Sequence, residues 1–153
     1  MTNPRESSAV EVEVRVKASQ QTVFQLLTDP AKYHLWMGSN ATLDARPGGT
    51  YRVVFNERDV AKGEYLEVVP NRRVVFTWGW EEADNPIRPG TSTVEIDLVP
   101  DGGETIVRLR HNGLPEAAND IHRQGWVLYL DRLAIAGPGG NPGPDPNLTP
   151  QHM

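Results

Sequence analysis

Six short segments between residues 41 and 112 have the composition of β-strands, and residues typical of tight turns separate them. The clearest turns are Pro-Gly-Gly at 47–49, Pro-Asn at 70–71 and Pro-Asp-Gly-Gly at 100–103. Connections this short join neighbouring strands that run in opposite directions. The pattern therefore predicts an antiparallel meander. Its strands are expected at Ala41–Arg46, Thr50–Phe55, Val60–Val69, Arg73–Trp80, Gly90–Val99 and Glu104–Asn112.

A seventh strand is predicted before this meander. Val10–Val16 alternates valine with charged residues, which is typical of a strand with one buried face. Ser19 then follows as a helix N-cap, and we expect a short helix over Gln20–Thr28. The helix should end at Asp29-Pro30, because proline disfavours helical geometry in the residue before it.

Two further helices are expected. A short one covers Ala31–Trp36, with Trp36 and Met37 turned inward. A long amphipathic helix runs from Pro115 to about Ala136, where Gly-Pro ends it. Gly125 interrupts this helix at a cost of ~1 kcal/mol relative to alanine. We expect that Gly125 lets the helix approach the sheet closely or leaves room for a ligand.

The composition limits the class of protein. A chain of 153 residues with 38% hydrophobic and 23% charged residues fits one globular domain. The net charge of −5 disfavours nucleic acid and anionic membrane surfaces as partners. There is no cysteine, no apolar stretch long enough to span a bilayer, and no secretory signal at Met1–Ser8. These features predict a cytoplasmic protein.

The two ends of the chain differ in composition from the rest. Nine of the fourteen residues from Gly137 to Pro150 are glycine or proline, which excludes regular structure. We therefore expect a flexible N-terminus at 1–8, a folded domain at 9–136 and a disordered Gly/Pro-rich tail at 137–153. Deleting such a tail should change the melting temperature by less than about 2 °C. A larger change would mean that the tail packs against the domain, for example across the cleft as a lid.

The order of elements predicts an α+β fold with one sheet and one long helix. An antiparallel sheet buries one face, and the C-terminal helix is long enough to cover it. A curved sheet that wraps around a helix commonly leaves a cleft between them. We expect the functional site in that cleft.

Several motifs match a known group. They are Arg46-Pro-Gly-Gly-Thr-Tyr51, Gly63-Glu-Tyr-Leu-Glu-Val-Val-Pro70, Val75-Phe-Thr-Trp78 and His122-Arg-Gln-Gly-Trp126. In this order the chain resembles the START-like (SRPBCC) superfamily, and within it the activator of Hsp90 ATPase homologue 1-like domains. The resemblance covers nearly all of residues 9–136 and implies a helix-grip fold. It does not imply one function, because the superfamily includes lipid and polyketide binders, cyclases, stress proteins and co-chaperone domains.

The strand Arg73–Trp80 carries the first group of candidate site residues. Alternation places Phe76, Trp78 and Trp80 on one face, together with Val74. A tryptophan N–H needs a partner when buried, so Trp78 and Trp80 suit the wall of a partly polar cavity. Phe76 has two interpretations, as a core residue or as part of the same wall.

The long helix carries the second group. Side chains spaced by three and four residues share one stripe of the helix. This stripe contains His122, Trp126, Tyr129 and Leu133, with Leu130 alongside. His111, at the end of the last strand, should lie near the mouth of the same cleft.

The role of His122 stays open between two interpretations. It is either a boundary histidine bound to a backbone carbonyl or a polar anchor for a ligand. Metal binding is not expected, since the sequence has no HxH or HExxH spacing and no cysteine. No other cofactor is predicted. The hydroxyls of Ser39 and Ser92 have no histidine partner at a recognisable motif spacing.

The sequence therefore favours a binding protein over an enzyme. The expected ligand is small and mostly apolar, aromatic, polyketide-like or lipid-like, and the expected state is a monomer or homodimer. One alternative is a cyclase or hydrolase-like enzyme in which His122 acts as acid or base. The other is a protein-interaction domain with a chaperone partner, as the family name suggests. The sequence has no segment matching the co-chaperone's separate N-terminal domain, so we expect small-molecule binding first.

Overall fold

A computed structural model describes residues 9–148 of the chain. The predicted flexible N-terminus, residues 1–8, lies outside the described residues, as do residues 149–153. The strands are β1 Val10–Val16, β2 Asn40–Leu43, β3 Thr50–Val54, β4 Val60–Val69, β5 Arg73–Trp80, β6 Ser92–Asp101 and β7 Glu104–Asn112. The helices are α1 Gln20–Thr28, α2 Pro30–Tyr33 and α3 Asn119–Ala136, with a 3₁₀ turn at Glu116–Ala118.

All seven strands form one antiparallel sheet in the order β1-β7-β6-β5-β4-β3-β2. Strands β2 to β7 are therefore the predicted meander, and β1 adds to its free edge beside β7. The register pairs Val12 with Leu109 and Val94 with His111. The predicted α+β architecture of one sheet and one long C-terminal helix is confirmed.

Backbone geometry explains two of the strand boundaries and one irregularity. Asn71, in the turn after β4, has a φ of 64°, and asparagine tolerates this left-handed region better than most residues. A bulge shifts the register of β4 and β5 between Tyr65 and Glu67. Beside it, a Cβ on Gly63 would lie 1.7 Å from the carbonyl oxygen of Thr77, so only glycine fits there.

The short helices α1 and α2 form where their caps predict. The Ser19 hydroxyl accepts a hydrogen bond from the backbone N–H of Thr22 at 3.2 Å. Asp29 ends α1 and caps α2, accepting from the N–H of Ala31 at 2.9 Å. Helix α2 ends at Tyr33, earlier than predicted, and the chain continues in hydrogen-bonded turns as far as Met37, whose N–H donates to the carbonyl of Tyr33 at 3.1 Å. Trp36 and Met37 are nonetheless buried, as predicted.

Helix α3 lies along β1, at one edge of the sheet. Of the two alternatives for Gly125, close approach to the sheet is wrong: a Cβ at this position would meet nothing within 4 Å, so Gly125 faces open space rather than the sheet. The predicted start at Pro115 is also early, since Pro115 precedes the 3₁₀ turn and α3 begins at Asn119. Within residues 9–148, no helix combines the length and apolar character needed to cross a membrane.

Residues 137–148, which we call the C-terminal strap, pack against the domain. Asp145 is buried and accepts hydrogen bonds from the N–H of Gly38 and the hydroxyl of Tyr129, each at 2.8 Å. The buried Arg132 donates to the carbonyls of Pro142 and Pro144 at 3.3 Å. This arrangement differs from the flexible tail expected from composition. Glycine and proline exclude a helix or strand here, but they leave carbonyls and side chains free to bind the domain.

Candidate functional site

The main candidate site is an aromatic cluster where β5 faces α3, formed by Trp78, Trp80, Trp126, His111 and His122; we call it the Trp–His cluster. Trp78 lies at the centre, with its ring centroid 5.2 Å from that of Trp126 and 5.4 Å from that of Trp80. The ring of His111 lies 5.8 Å from that of Trp78 and 5.5 Å from that of His122. The structure thus brings together five of the nine residues that the sequence placed at the cleft.

His111 is the polar centre of this cluster and is fully buried. Its Nδ1 accepts a hydrogen bond from the indole N–H of Trp126 at 3.0 Å. Because Nδ1 is an acceptor, the neutral ring carries its proton on Nε2. Nε2 lies 2.9 Å from the hydroxyl of Ser92, so His111 donates to Ser92. The Ser92 hydroxyl in turn donates to the carbonyl of Trp78 at 2.7 Å.

This chain of hydrogen bonds gives Ser92 a histidine partner, which no motif spacing in the sequence had indicated. The pair forms only once the sheet has formed, because the register of β6 and β7 sets His111 opposite Val94, two residues from Ser92. The directions of the bonds exclude activation of Ser92 by His111, because the nitrogen that faces the hydroxyl already holds a proton. Burial, with a smaller contribution from His122, lowers the pKa of His111 to about 3.

His122 makes two hydrogen bonds of the same kind. Its Nδ1 donates to the carbonyl of Ala118 at 2.9 Å, and its Nε2 accepts from the indole N–H of Trp80 at 3.3 Å. Burial lowers the pKa of His122, although the bond to Ala118 opposes that effect. Both histidines are therefore neutral near pH 7, and the cluster holds no charge.

The remaining predicted site residues lie around the cluster rather than in it. Phe76 stacks on Tyr51 with ring centroids 4.0 Å apart, which places it in the core. The Tyr129 ring lies 5.6 Å from Phe55, and its hydroxyl donates to the strap. Leu130 and Leu133 are fully buried in the hydrophobic core.

A second aromatic group, which the sequence analysis missed, lies beside Phe76. Tyr33, Tyr51 and Tyr65 are all 2% exposed or less, and the hydroxyls of Tyr33 and Tyr51 are 2.7 Å apart. Burial raises the pKa of each tyrosine. Tyr51 and Val53 are two residues apart in β3 and therefore lie on the same face of the strand. This spacing was a sequence signal that the side chain of Tyr51 points inward. Nothing in the sequence indicated the hydroxyl pair, since its members are eighteen residues apart on different elements.

One polar atom of the Trp–His cluster has no partner. The indole Nε1 of Trp78 is buried and makes no hydrogen bond within residues 9–148. The three other tryptophans each have an acceptor: Leu26 for Trp36, His122 for Trp80 and His111 for Trp126. Among the described residues, no group of three or more His, Asp or Glu side chains is placed to hold a metal ion.

Two grooves of the described surface lie away from the Trp–His cluster. One, of about 370 Å³, lies over the outer side of β1 and β7 and includes Glu11 and Arg110. The other, of about 450 Å³, runs between the strap and the turn after α2 and includes Leu35, Gly38 and Arg132. Neither groove is lined by a residue of the cluster, whose rings contact one another.

The fold and this interior define the class of protein as a helix-grip domain, a sheet that holds one long helix. The chain belongs to the family described as Activator of Hsp90 ATPase homolog 1-like protein, whose family model matches residues 17–136. The resemblance inferred from the sequence motifs is therefore confirmed.

Comparison with individual proteins gives the same family. The chain is 25% identical over 114 residues to the human activator of 90 kDa heat shock protein ATPase homolog 1. That match covers 72% of this chain and 31% of the relative, so the chain spans about a third of that curated protein.

Solved structures extend this likeness over most of the chain. An AHSA1-like protein from Rhizobium etli is 40% identical, with a TM-score of 0.71, covering 95% of this chain and 90% of the other. A protein from the dynemicin biosynthetic locus is 26% identical, with a TM-score of 0.76, covering 88% of this chain and 49% of the other.

Proposed function

We propose that this domain binds a small, uncharged, mostly aromatic molecule between β5 and α3, and that the ligand offers one oxygen acceptor to Trp78. The observation that carries this proposal is the buried indole N–H of Trp78, which has no acceptor within residues 9–148. A buried donor without a partner costs about 1–3 kcal/mol. A carbonyl or ether oxygen at this point would remove that cost.

The surroundings of Trp78 favour an uncharged ligand. The pKa values of both neighbouring histidines are lowered, and the aromatic rings of Trp80 and Trp126 form the adjacent walls. A charged ligand would lose its hydration without gaining an ion pair. Stacking on tryptophan favours a flat aromatic ring.

The hydrogen bonds of the cluster support binding rather than acid–base catalysis. His111 donates to Ser92 and accepts from Trp126, while His122 donates to Ala118 and accepts from Trp80. Each ring therefore uses both of its nitrogens inside the protein. Neither histidine has a nitrogen left to exchange a proton with a substrate unless one of these bonds breaks.

Indole N–H signals in ¹⁵N NMR spectra of the full chain test the proposal, because the four tryptophans give four signals. The ligand pair is 2-acetylnaphthalene, which has a carbonyl acceptor, and 2-ethylnaphthalene, which has none. We expect the ketone to shift the Trp78 signal downfield. The Trp36 signal, already bonded to Leu26 at 2.7 Å, should not move.

A variant at Trp78 tests whether the preference for the ketone depends on the indole N–H of this residue. Trp78→Phe keeps an aromatic ring but removes the N–H, so it should abolish the preference for the ketone over the hydrocarbon. Equal binding of both compounds to the wild-type chain would contradict the proposed role of Trp78. Absence of binding by either compound would contradict this ligand class.

A second candidate function is interaction with an Hsp90-type chaperone. Two observations favour it: the curated relatives are named as activators of the 90 kDa heat shock protein ATPase, and α3 presents apolar side chains to solvent. Ile121 is 68% exposed, and Ile135, on the same side of the helix, is 45% exposed. Measuring Hsp90 ATPase turnover with the full chain tests this function, with Ile121→Ser expected to remove any stimulation. Asp131→Asn, on the exposed surface of α3, is the control.

A further inference from the structure

The C-terminal strap runs back along α3 in the opposite direction to the helix. Gly140 donates its N–H to the carbonyl of Ile135 at 2.9 Å, close to the end of α3. Further along the strap, Asn147 donates its side-chain amide to the hydroxyl of Tyr129 at 2.8 Å, about two turns earlier in the helix. Later strap residues therefore meet earlier helix residues.

The strap connects three parts of the fold, which are α3, the turn after α2 and the loop after β3. On α3 it binds Tyr129, and on the turn after α2 it binds Gly38. On the loop after β3, Asn56 donates to the carbonyl of Asn147 at 2.8 Å. Since α3 lies along β1, at the edge of the sheet opposite β2, the strap joins the helix to the far side of the domain.

Asp145 is the main attachment point of the strap. Its carboxylate is only 6% exposed and accepts three hydrogen bonds, from Gly38 N–H at 2.8 Å, Tyr129 O–H at 2.8 Å and Asn147 N–H at 2.7 Å. Bonds to an ionised acceptor are about twice as strong as neutral ones. A single carboxylate thus holds two separate elements of the domain together.

Ring contacts continue from this attachment point to the Trp–His cluster. The Tyr129 ring lies 5.6 Å from Phe55, Phe55 lies 5.8 Å from Trp80, and Trp80 lies 5.4 Å from Trp78. Displacing the strap would free the Tyr129 hydroxyl and the loop that carries Phe55. Both changes loosen the wall next to Trp80.

We propose that the strap is a gate beside the Trp–His cluster, connected to it through Tyr129 and Phe55 and held closed by Asp145, and that a ligand enters when the strap detaches. This inference rests on the proposed function, because a gate needs a ligand to admit. The gate also explains how a ligand enters a cluster whose rings contact one another. Detachment of a segment that has no regular structure costs only the local contacts named above.

Acrylamide quenching of tryptophan fluorescence tests the gate without any ligand. Trp36, Trp78 and Trp126 are each 3% exposed or less, so quenching of these three in the wild-type chain should be weak, and the half-buried Trp80 sets the baseline. Asp145→Asn keeps the shape of the side chain but removes its charge, and it should raise the quenching constant at least twofold. Asp131→Asn makes the same chemical change on an exposed side chain of α3 and should leave the constant unchanged.

Two further measurements guard against a trivial result. Circular dichroism must show that Asp145→Asn is folded, and Tyr129→Phe, which removes only one hydroxyl, provides a milder release of the same attachment. A rise in quenching in both folded variants is the expected result. Wild-type quenching in both folded variants would overturn the gate.

Stopped-flow binding of 2-acetylnaphthalene then separates the gate from the proposed function. With a gate, Asp145→Asn should raise the association and dissociation rates at least threefold over Asp131→Asn. If the compound binds every variant at the same rate, the gate is overturned and the binding function stands. If it binds none of them while quenching still rises in Asp145→Asn, the strap controls access but the proposed function fails.

Discussion

The indole N–H of Trp126 and Nδ1 of His111 are joined by a buried hydrogen bond of 3.0 Å that links α3 to β7. This bond holds the helix against the sheet and also fixes which nitrogen of His111 carries the proton. It exists only while His111 is neutral, since a protonated imidazole has no acceptor to offer. The attachment of α3 to the sheet is therefore coupled to the protonation of one side chain.

The first prediction concerns pH. The pKa of His111 is about 3 in the folded chain and 6.5 ordinarily, so below pH 6.5 the unfolded state binds the extra proton first. The contribution of neutral His111 to the stability of the fold is therefore complete above pH 6.5 and is lost as the pH falls towards 3. We expect the free energy of unfolding to fall by about 2–3 kcal/mol between pH 6.5 and 4.5. Urea melts across this range measure it.

Variants assign this pH dependence. His111→Gln should be less stable at pH 7 but should show a flatter profile between pH 6.5 and 4.5, because the group that titrates is gone. His34→Gln, at an exposed position, should retain the wild-type slope. The lowered pKa of His122 adds a contribution of the same sign. A wild-type slope in His111→Gln would contradict the assignment to His111.

The second prediction concerns Trp126, which lies on the stripe of α3 that the sequence placed at the cleft. Its side chain is 3% exposed, contacts Trp78 and bonds to His111. Replacement by leucine should therefore cost about 3 kcal/mol or more, as for other large-to-small changes of buried aromatics. Denaturant melts measure the loss. A folded Trp126→Leu variant within about 1 kcal/mol of the wild type would mean that the ring borders open space.

The third prediction concerns the hydroxyl pair of Tyr33 and Tyr51, which are 2.7 Å apart and buried. Each single change to phenylalanine leaves the other hydroxyl without this partner and should cost about 1–2 kcal/mol. The double variant leaves neither hydroxyl, so its cost should be below the sum of the singles. A double-mutant cycle should give a coupling of about 1 kcal/mol. Strict additivity would show that the two hydroxyls do not depend on each other.

Local signals predicted most of the fold. Four strands, β1, β4, β5 and β7, have the bounds expected from alternation and turn residues, and so does α1. That these tryptophans lie close together also followed from local patterns. Trp78 and Trp80 share one face of β5, and Trp126 lies on the inward stripe of α3. What those side chains do depends on contacts across the fold. Ser92 meets His111 through strand register, and Tyr33 meets Tyr51 from a different element.

The C-terminal strap shows the limit of composition as a signal. Its glycines and prolines correctly predicted the absence of a helix or strand. They carried no information on whether the segment would dock, because docking depends on Asp145 finding Gly38 and Tyr129 far away in the sequence. Gly125 shows the converse, a glycine in a helix for which a packing reason was expected and none is present.

The fourth prediction uses two glycines in opposite surroundings. A Cβ on Gly125 meets nothing within 4 Å, so Gly125→Ala should stabilise the chain by about 1 kcal/mol through helix propensity. A Cβ on Gly63 would lie 1.7 Å from the carbonyl oxygen of Thr77, so Gly63→Ala should destabilise it by several kcal/mol, about 3 or more. Thermal melts of the two variants should shift in opposite directions. Destabilisation by Gly125→Ala would show that this face of α3 is covered in solution.

The last prediction is the effect of removing the strap, for which composition alone predicted almost no change. A chain that ends after Asn141 loses the two hydrogen bonds that Asp145 accepts from the domain and the two carbonyls that Arg132 binds. At about 1 kcal/mol for each bond, with water replacing part of the loss, we expect a cost of about 2–3 kcal/mol. For a domain of this size the melting temperature should fall by about 5–10 °C. A chain that ends after Leu148 keeps the described part of the strap and should melt with the wild type. If both truncated chains melt within about 2 °C of the full chain, Asp145 does not hold the strap against the domain, and the gate proposed for it fails as well.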